Sequence, residues 1–296
     1  MDKKVRLKKD MKEKQELVNI ILDRYLPRKD EYPKTIHKAM RYSIFAGGKR
    51  IRPYLTMTTY EMYRKTVEKI VPVAAAIEML HTYSLIHDDL PDIDNDDFRR
   101  GKKSCHILFG EGQALLAGDA LLVSSFDLIT LAEIKTEHRV RFVRELAEVA
   151  GVNGLIGGQM MDIVSEGKKV DKKTIDYIHK NKTAKLIQLS VHFGAIAGGA
   201  PESELNALED YGEKIGFAFQ IADDLLDIEG TPDELGKSVG KDKIEGKATY
   251  PSVYGIAESK SKLQELIKEA RQSIAALGEK AELLDALAEY MLTRKS

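Results

Sequence analysis

The sequence has one cysteine, Cys105, and no tryptophan. A lone thiol excludes an internal disulfide framework and fits a reducing compartment. Net charge is nearly missing too: 46 basic against 47 acidic residues leave −1. No global field therefore draws the chain to nucleic acid or anionic lipid. No run approaches the roughly 18 to 20 continuous apolar residues of a membrane span. The basic start MDKKVRLKKDMKEKQEL lacks the apolar core of a secretory signal and reads as a solvated first helix. These absences predict a cytoplasmic protein with no stable membrane insertion and no nucleic-acid partner. CxxC, HExxH and Rossmann glycine fingerprints are missing as well. GTPDELGKS has one residue too many between its glycines for a P-loop, and it follows a helix. Cys105 and His106 are adjacent but lack the strand-turn-helix setting of a nucleophile elbow.

What is present is helical. Apolar residues make up 43%, enough for a substantial core, and charged residues 31%, enough to coat it. PKTIHKAMRYSIFAGG opens at Pro33 and stops at Gly47 and Gly48, the punctuation of a helix. TVEKIVPVAAAIEMLHTYSLIHDD is apolar on most of its circumference, which predicts a buried central helix. GQALLAGDALLVSSFDLITLAEI reads as another. VDKKTIDYIHKNKTAKLIQLSVHFGAIAGG runs from an Asp171 N-cap to Gly198 and Gly199. SELNALEDYGEKIGFAFQIADDLLDIEG is a long amphipathic run closed by Gly230, and two amphipathic helices follow from about Lys260. Period-two alternation, linker tracts and solenoid repeats are lacking. The expectation is one all-α domain over residues 1–296, a bundle of roughly ten or more helices.

Two acidic clusters end two of the apolar helices. In FQIADDLLDIEG, Asp223 and Asp227 lie one turn apart on one face, with Asp224 beside them, amid Phe219, Ile221, Leu225, Leu226 and Ile228. Carboxylates in such company need a compensating charge, and a divalent cation supplies it. Without His or Cys partners the donor set suits a hard ion such as Mg²⁺, which keeps waters and takes further ligands from phosphates. The other cluster, HDDLPDIDNDDFRRG, holds six aspartates between Asp88 and Asp97. Asp94 is six residues beyond Asp88, about 120° away on an unbroken helix. A bulge or turn at LPDI could return it towards Asp88; Asp92, at straight helical spacing, is a rival ligand.

Cations lie where phosphates bound to such a metal need them. Arg99 and Arg100 follow the first cluster, and GGKRIRP offers Lys49, Arg50 and Arg52 beside glycines that allow close backbone approach. HKNKTAK sets Lys182 and Thr183 mid-helix, and LGKSVGKDKIEGKATYP adds Lys237 and Lys247. Arginine suits bidentate phosphate binding, and lysine acts as a mobile point charge.

GGKRIRP, HTYSLIHDDLPDIDNDDFRRGKKSCH, GGQMMDI, HKNKTAKL, GFAFQIADDLLDIEG and LGKSVGKDKIEGKATYP occur in the order seen in the trans-isoprenyl diphosphate synthases. The chain resembles that family over nearly its whole length, and most resembles its bacterial farnesyl-making members. The resemblance implies an isoprenoid-synthase bundle around a central cavity, and a homodimer. It implies that Asp88, Asp89 and Asp94 hold two Mg²⁺ ions against an allylic diphosphate and that Asp223, with Asp224 and Asp227, holds a third, Mn²⁺ being a substitute. Lys49, Arg52, His81 and Arg100 would bind isopentenyl diphosphate. Arg99, Lys182, Thr183, Gln220, Lys237 and Lys247 would serve dimethylallyl or geranyl diphosphate, and Gln159 and Asp162 would line the cavity. Asp92 is not required by the family pattern.

The chemistry so implied is ionisation of the allylic C–O bond, attack by the isopentenyl double bond, and loss of a proton. Thr183 and Gln220 are candidates for steadying the cation. Product length is implied by Tyr83, the aromatic five residues before Asp88; neighbouring Ser84 is small, and helix arithmetic sets it nearer Asp88's direction. Farnesyl diphosphate is the expected product, with geranylgeranyl diphosphate the alternative. A terpene cyclase is disfavoured by the full second DDxxD, and a non-catalytic partner subunit by the retention of both acidic and cationic sets.

Overall fold

Apolar residues on every side of a helix leave it stable only where other helices surround it. That sets the position of α4 (Val71–Asp88), whose residues from Val73 to Leu80 are all buried. The structure is a computed structural model and describes residues 2–229 and 247–292. Before α4 come α1 (Lys3–Tyr25), α2 (Lys34–Ile44) and α3 (Ile51–Glu61). After it, β1 (Phe98–Arg99) and β2 (Lys102–Lys103) form a two-residue antiparallel ladder pairing Phe98 with Lys103 and Arg99 with Lys102. Then follow α5 (Cys105–Phe109), α6 (Glu111–Thr130), α7 (Thr136–Ala150), α8 (Leu155–Ser165) and α9 (Lys172–Ile178). A π-helical turn, His179–Ala184, joins α9 to α10 (Lys185–Gly198), and α11 (Glu202–Glu229) comes next. Past the undescribed segment lie α12 (Tyr250–Tyr254), α13 (Ile256–Ile274), a 3₁₀ stretch Ala275–Ala281 and α14 (Glu282–Leu292). The all-α expectation holds.

Two apolar clusters form the core. One gathers α1, α2, α4, α6 and α7 around Leu22, Ile77, Leu121 and Phe142, the last stacked on Phe193 of α10 at 4.0 Å. The other gathers α3, α10, α11, α13 and α14 around Leu55, Ile187, Tyr211, Ile215 and Leu287. α4 packs on α6 and α3, α10 on α3 and α11, and α8 on the π turn. Two glycines permit the tightest approaches to that turn: a Cβ on Gly158 would fall 2.4 Å from the Lys182 backbone nitrogen, and one on Gly216 would fall 2.7 Å from Ala184 Cα. The long helix expected from Asp171 to Gly198 is therefore continuous but carries a π segment that its apolar periodicity did not reveal. Such segments are rare and recur at functional sites.

Among the described residues, α6 alone is long and apolar enough to cross a membrane by length and composition. Asp119 and Asp127 interrupt its apolar run. One side packs along α4, while Leu115, Leu116 and Val123 on the other are exposed.

Candidate active site

α4 ends where Pro91 removes an amide donor and the last turn tightens. Leu90 N–H bonds His87 C=O at 3.1 Å, and Asp94 N–H reaches back to Asp88 C=O at 2.8 Å. That six-residue return, eased by positive φ at Asn95, brings Asp94 beside Asp88 on one wall of a cavity of about 380 Å³. Asp92, the rival, is exposed and off the lining. Asp89 faces away from the cavity: its Oδ1 accepts from Arg99 Nε at 2.8 Å, and Arg99 also bonds Asp96 at 2.8 Å. The pair aims Arg99 at the cavity, which it lines. Burial pushes the Asp88 carboxyl up to about 6; Asp94 and Asp162 add to this, and Lys182 and Arg99 only partly offset it. Burial pushes Asp89 up to about 6 as well, against the pull of Arg99.

The opposite wall is α11, where Asp223 lines the cavity and Asp227 does not. Asp224 is on the lining, yet both its oxygens accept hydrogen bonds from protein groups. Oδ1 takes Gln220 Nε2–H at 2.8 Å; Oδ2 takes the Tyr250 N–H at 2.7 Å and faces His179 Nε2 at 3.2 Å. Tyr250 opens α12, so Asp224 satisfies one of that helix's orphan donors. Burial would raise the Asp224 carboxyl, but His179, the Tyr250 amide and Gln220 hold it below the usual carboxylate range. Gln220 Oε1 accepts from the Thr183 hydroxyl at 2.7 Å.

Lysines span the space between the walls. Lys182 Nζ sits 2.6 Å from Asp162 Oδ2, and Lys247 Nζ 2.9 Å from Asp94 Oδ1. Burial would lower the Lys182 ammonium, but Asp162, Asp88 and Asp94 hold it well above the ordinary lysine range. Gln159 and Asp162 line the cavity. Lys237 lies outside the described residues.

The third side is arginine-rich. Arg50, at positive φ before α3, is 4% exposed and bonds Glu78 Oε1 at 2.6 Å, so it pins α3 to α4 instead of facing the cavity. Arg52, His81 and Arg100 do face it. Arg100 is bonded to Gly47 C=O and lies 3.7 Å from Glu78. Gly48, at φ +113°, leaves the room: a Cβ there would sit 2.6 Å from the Arg100 guanidinium carbon. Burial, with Arg52 and Arg100 nearby, holds the His81 imidazole far below its ordinary range, so it is neutral at pH 7. The Lys49 ammonium lies 5.8 Å from the Tyr290 ring and off the lining. Ser84 lines the cavity, whereas Tyr83 is buried beside it, edge-on to His87 at 5.5 Å.

Among the described residues, no three Asp, Glu, His or Cys groups converge into a ready-made metal cage. Asp88 and Asp94 meet Asp223 only across the cavity. Such an oxygen-only, half-filled set fits Mg²⁺, whose other ligands are waters and substrate oxygens. A divalent cation would offset the burial that chiefly raises the Asp88 carboxyl and the repulsion that Asp94 and Asp162 add. Sequence reasoning missed His179, Glu78 and Tyr250. Only Tyr250 had a local signal, since Thr-Tyr-Pro marks a helix start and Thr249 does cap one.

A family model described as polyprenyl synthetase matches residues 33–287. The chain is 46% identical over 269 residues to the farnesyl diphosphate synthase of Geobacillus stearothermophilus, covering 89% of this chain and 90% of that one. It is 43% identical over 287 residues to a geranylgeranyl diphosphate synthase of Cyanophora paradoxa, covering 96% and 95%. Among solved structures it resembles a Helicobacter pylori geranyltransferase complexed with magnesium and isoprenyl diphosphate, with TM-score 0.84 and 29% identity over 99% of this chain and 97% of the other.

Proposed function

The chain belongs to the polyprenyl synthetase family, and on that premise we propose that it condenses isopentenyl diphosphate with dimethylallyl and then geranyl diphosphate to give (2E,6E)-farnesyl diphosphate. It is a prenyltransferase. The observation carrying this reading is one cavity with Asp88 and Asp94 on one wall, Asp223 on the other, and Arg52, Arg100, Lys182 and Lys247 between. Such a site suits a substrate whose charge is all diphosphate.

Divalent metal belongs to this site; we take it to be Mg²⁺, three ions in number, with Mn²⁺ able to substitute. Asp88, Asp94 and Asp223 would hold it, while Asp89 acts through Arg99. When bound, the metal supplies Lewis-acid stabilisation of the charge that develops on the departing diphosphate. Lys182 and Lys247 now rest on Asp162 and Asp94, within reach of diphosphate oxygens entering the same cavity. Arg52 and Arg100, with Lys49 at the margin, bind isopentenyl diphosphate; neutral His81 offers it a hydrogen bond. The allylic C–O bond breaks, the electron pair leaving with the diphosphate. The isopentenyl double bond attacks the allylic carbon, and the released diphosphate takes the proton that restores a double bond. Thr183 directs its oxygen at the cation, its hydrogen being given to Gln220. No side-chain nucleophile is required.

The farnesyl product is favoured by Tyr83, buried one residue from the cavity-lining Ser84, and by the identity to a farnesyl diphosphate synthase. The geranylgeranyl reading is supported by the near-equal identity to the Cyanophora enzyme. We further propose a homodimer through α6 in the cytoplasm. The exposed Leu115, Leu116 and Val123 suit a second copy better than lipid, because Asp119 shares that helix. Diphosphate release that requires Mg²⁺ and both substrates tests the reaction. None from folded protein would return the chain to a non-catalytic helical partner.

A further inference from the structure

His179 is on the lining of the cavity, is 3% exposed, and its ring is fixed on two sides. It stacks on Tyr250 at 5.6 Å and meets Phe217 edge-on at 5.8 Å. Its Nε2 faces Asp224 Oδ2 at 3.2 Å. It also begins the π turn that carries Thr183. The contacts therefore close a ring: His179 to Asp224, Asp224 to Gln220, Gln220 to Thr183, and Thr183 back to His179 through the turn's backbone.

We infer that His179 is a positioning residue that, through Asp224 and Gln220, fixes the direction in which Thr183 presents its oxygen to the allylic carbon. The inference rests on the prenyl-transfer reading and deepens it. The logic is one of donors and acceptors. The Gln220 and Tyr250 N–H groups bond Asp224 and the His179 Nε2 faces it at 3.2 Å, so the carboxylate acts as an acceptor only. Gln220 must then turn its NH₂ to Asp224 and its carbonyl to Thr183. Thr183 has one hydrogen and must give it to that carbonyl, at 2.7 Å. Only lone pairs remain for the cavity, the polarity that steadies a carbocation. Were the relay free to reverse, Thr183 could point its hydrogen at the same carbon. His179 guards against this by holding the Asp224 carboxylate in plane and by tying α11 to the π turn. Outer contacts of this kind tune the group that touches substrate.

The test compares wild type with His179→Phe, which keeps the stacked ring but loses the donor, and His179→Gln, whose amide reaches the Nε2 position. His179→Phe should lower kcat roughly 10- to 100-fold, with KM for both substrates and the half-saturating Mg²⁺ concentration within about threefold, as befits a loss confined to the transition state. Its Kd for the inert dimethylallyl thiolodiphosphate, read by calorimetry, should match wild type, and His179→Gln should recover most of kcat. Gln220→Met, which breaks the relay one link nearer Thr183, should give the same split and serves if His179→Phe does not fold. Unchanged kcat, loss of analogue affinity together with kcat, or no rescue by glutamine would each overturn the inference. An inactive wild type would instead overturn the prenyl-transfer reading, and this inference with it.

Discussion

Asp88 and Asp89 are neighbours in sequence with opposite surroundings. Asp88 faces the cavity, and Asp89 is turned back onto Arg99. Equal substitutions should therefore give unequal results. Asp88→Asn should cut kcat by roughly 10²–10³-fold, the scale of losing a charge-stabilising group, and raise the Mg²⁺ needed for half-maximal rate. Asp89→Asn should leave that Mg²⁺ requirement near wild type and raise KM for the allylic substrate, because it loosens Arg99. Steady-state kinetics with metal titration separates the two; identical metal profiles would refute the division. At this scale the sequence spoke clearly about residue type and poorly about direction. The DDxxD spacing marked Asp223, but nothing local foretold that Asp224 would cap α12 at Tyr250, 26 residues on. Asp94 could be assigned only as a candidate, because its return to Asp88 depends on a bond across the Pro91 turn. His179 reads in sequence as one more mid-helix polar residue; its partner on α11 is a tertiary fact.

Helices were legible from apolar periodicity and from their glycine, proline and aspartate ends. Asp171 caps α9 by accepting from the Thr174 N–H at 2.8 Å, as its position ahead of the run from Lys172 suggested. The π turn was not legible, since its extra residue shifts the apolar phase only once, by about 100°, within one long run. It is set by packing: Gly158 of α8 and Gly216 of α11 let both helices press on its backbone. Gly158→Ala should accordingly destabilise by about 1–3 kcal/mol, the usual cost of overpacking, and depress kcat by shifting Lys182 and Thr183. Chemical denaturation and kinetics on one preparation test both; full stability with full activity would contradict the packing account. In α4, Tyr83 and Ser84 divide differently from the family-based expectation that Tyr83 sets product length: Ser84 lines the cavity, and Tyr83 is buried beside it. Tyr83→Ala should still open space between α4 and α6 and lengthen the product. An unchanged product distribution would remove Tyr83 from length control.

For the whole molecule, the two apolar clusters matter because the cavity lies where their helices meet: α4 from one, α11 from the other, with α8 and the π turn between. Each cluster brings carboxylates to the same space, and among the described residues neither set gathers three metal-ligating groups by itself. The all-helical architecture followed from composition and periodicity, whereas the meeting of the two acidic clusters required the fold. The exposed apolar side of α6 predicts that Val123→Glu yields monomers by sedimentation where wild type gives dimers; monomeric wild type would refute the α6 interface. The two-walled site itself is tested most directly by its product. Pure protein is incubated with dimethylallyl diphosphate, labelled isopentenyl diphosphate and Mg²⁺, and the dephosphorylated alcohols are separated by length. The account predicts labelled farnesol that vanishes when Mg²⁺ is chelated; no labelled prenyl alcohol from folded protein with Mg²⁺ present would contradict it.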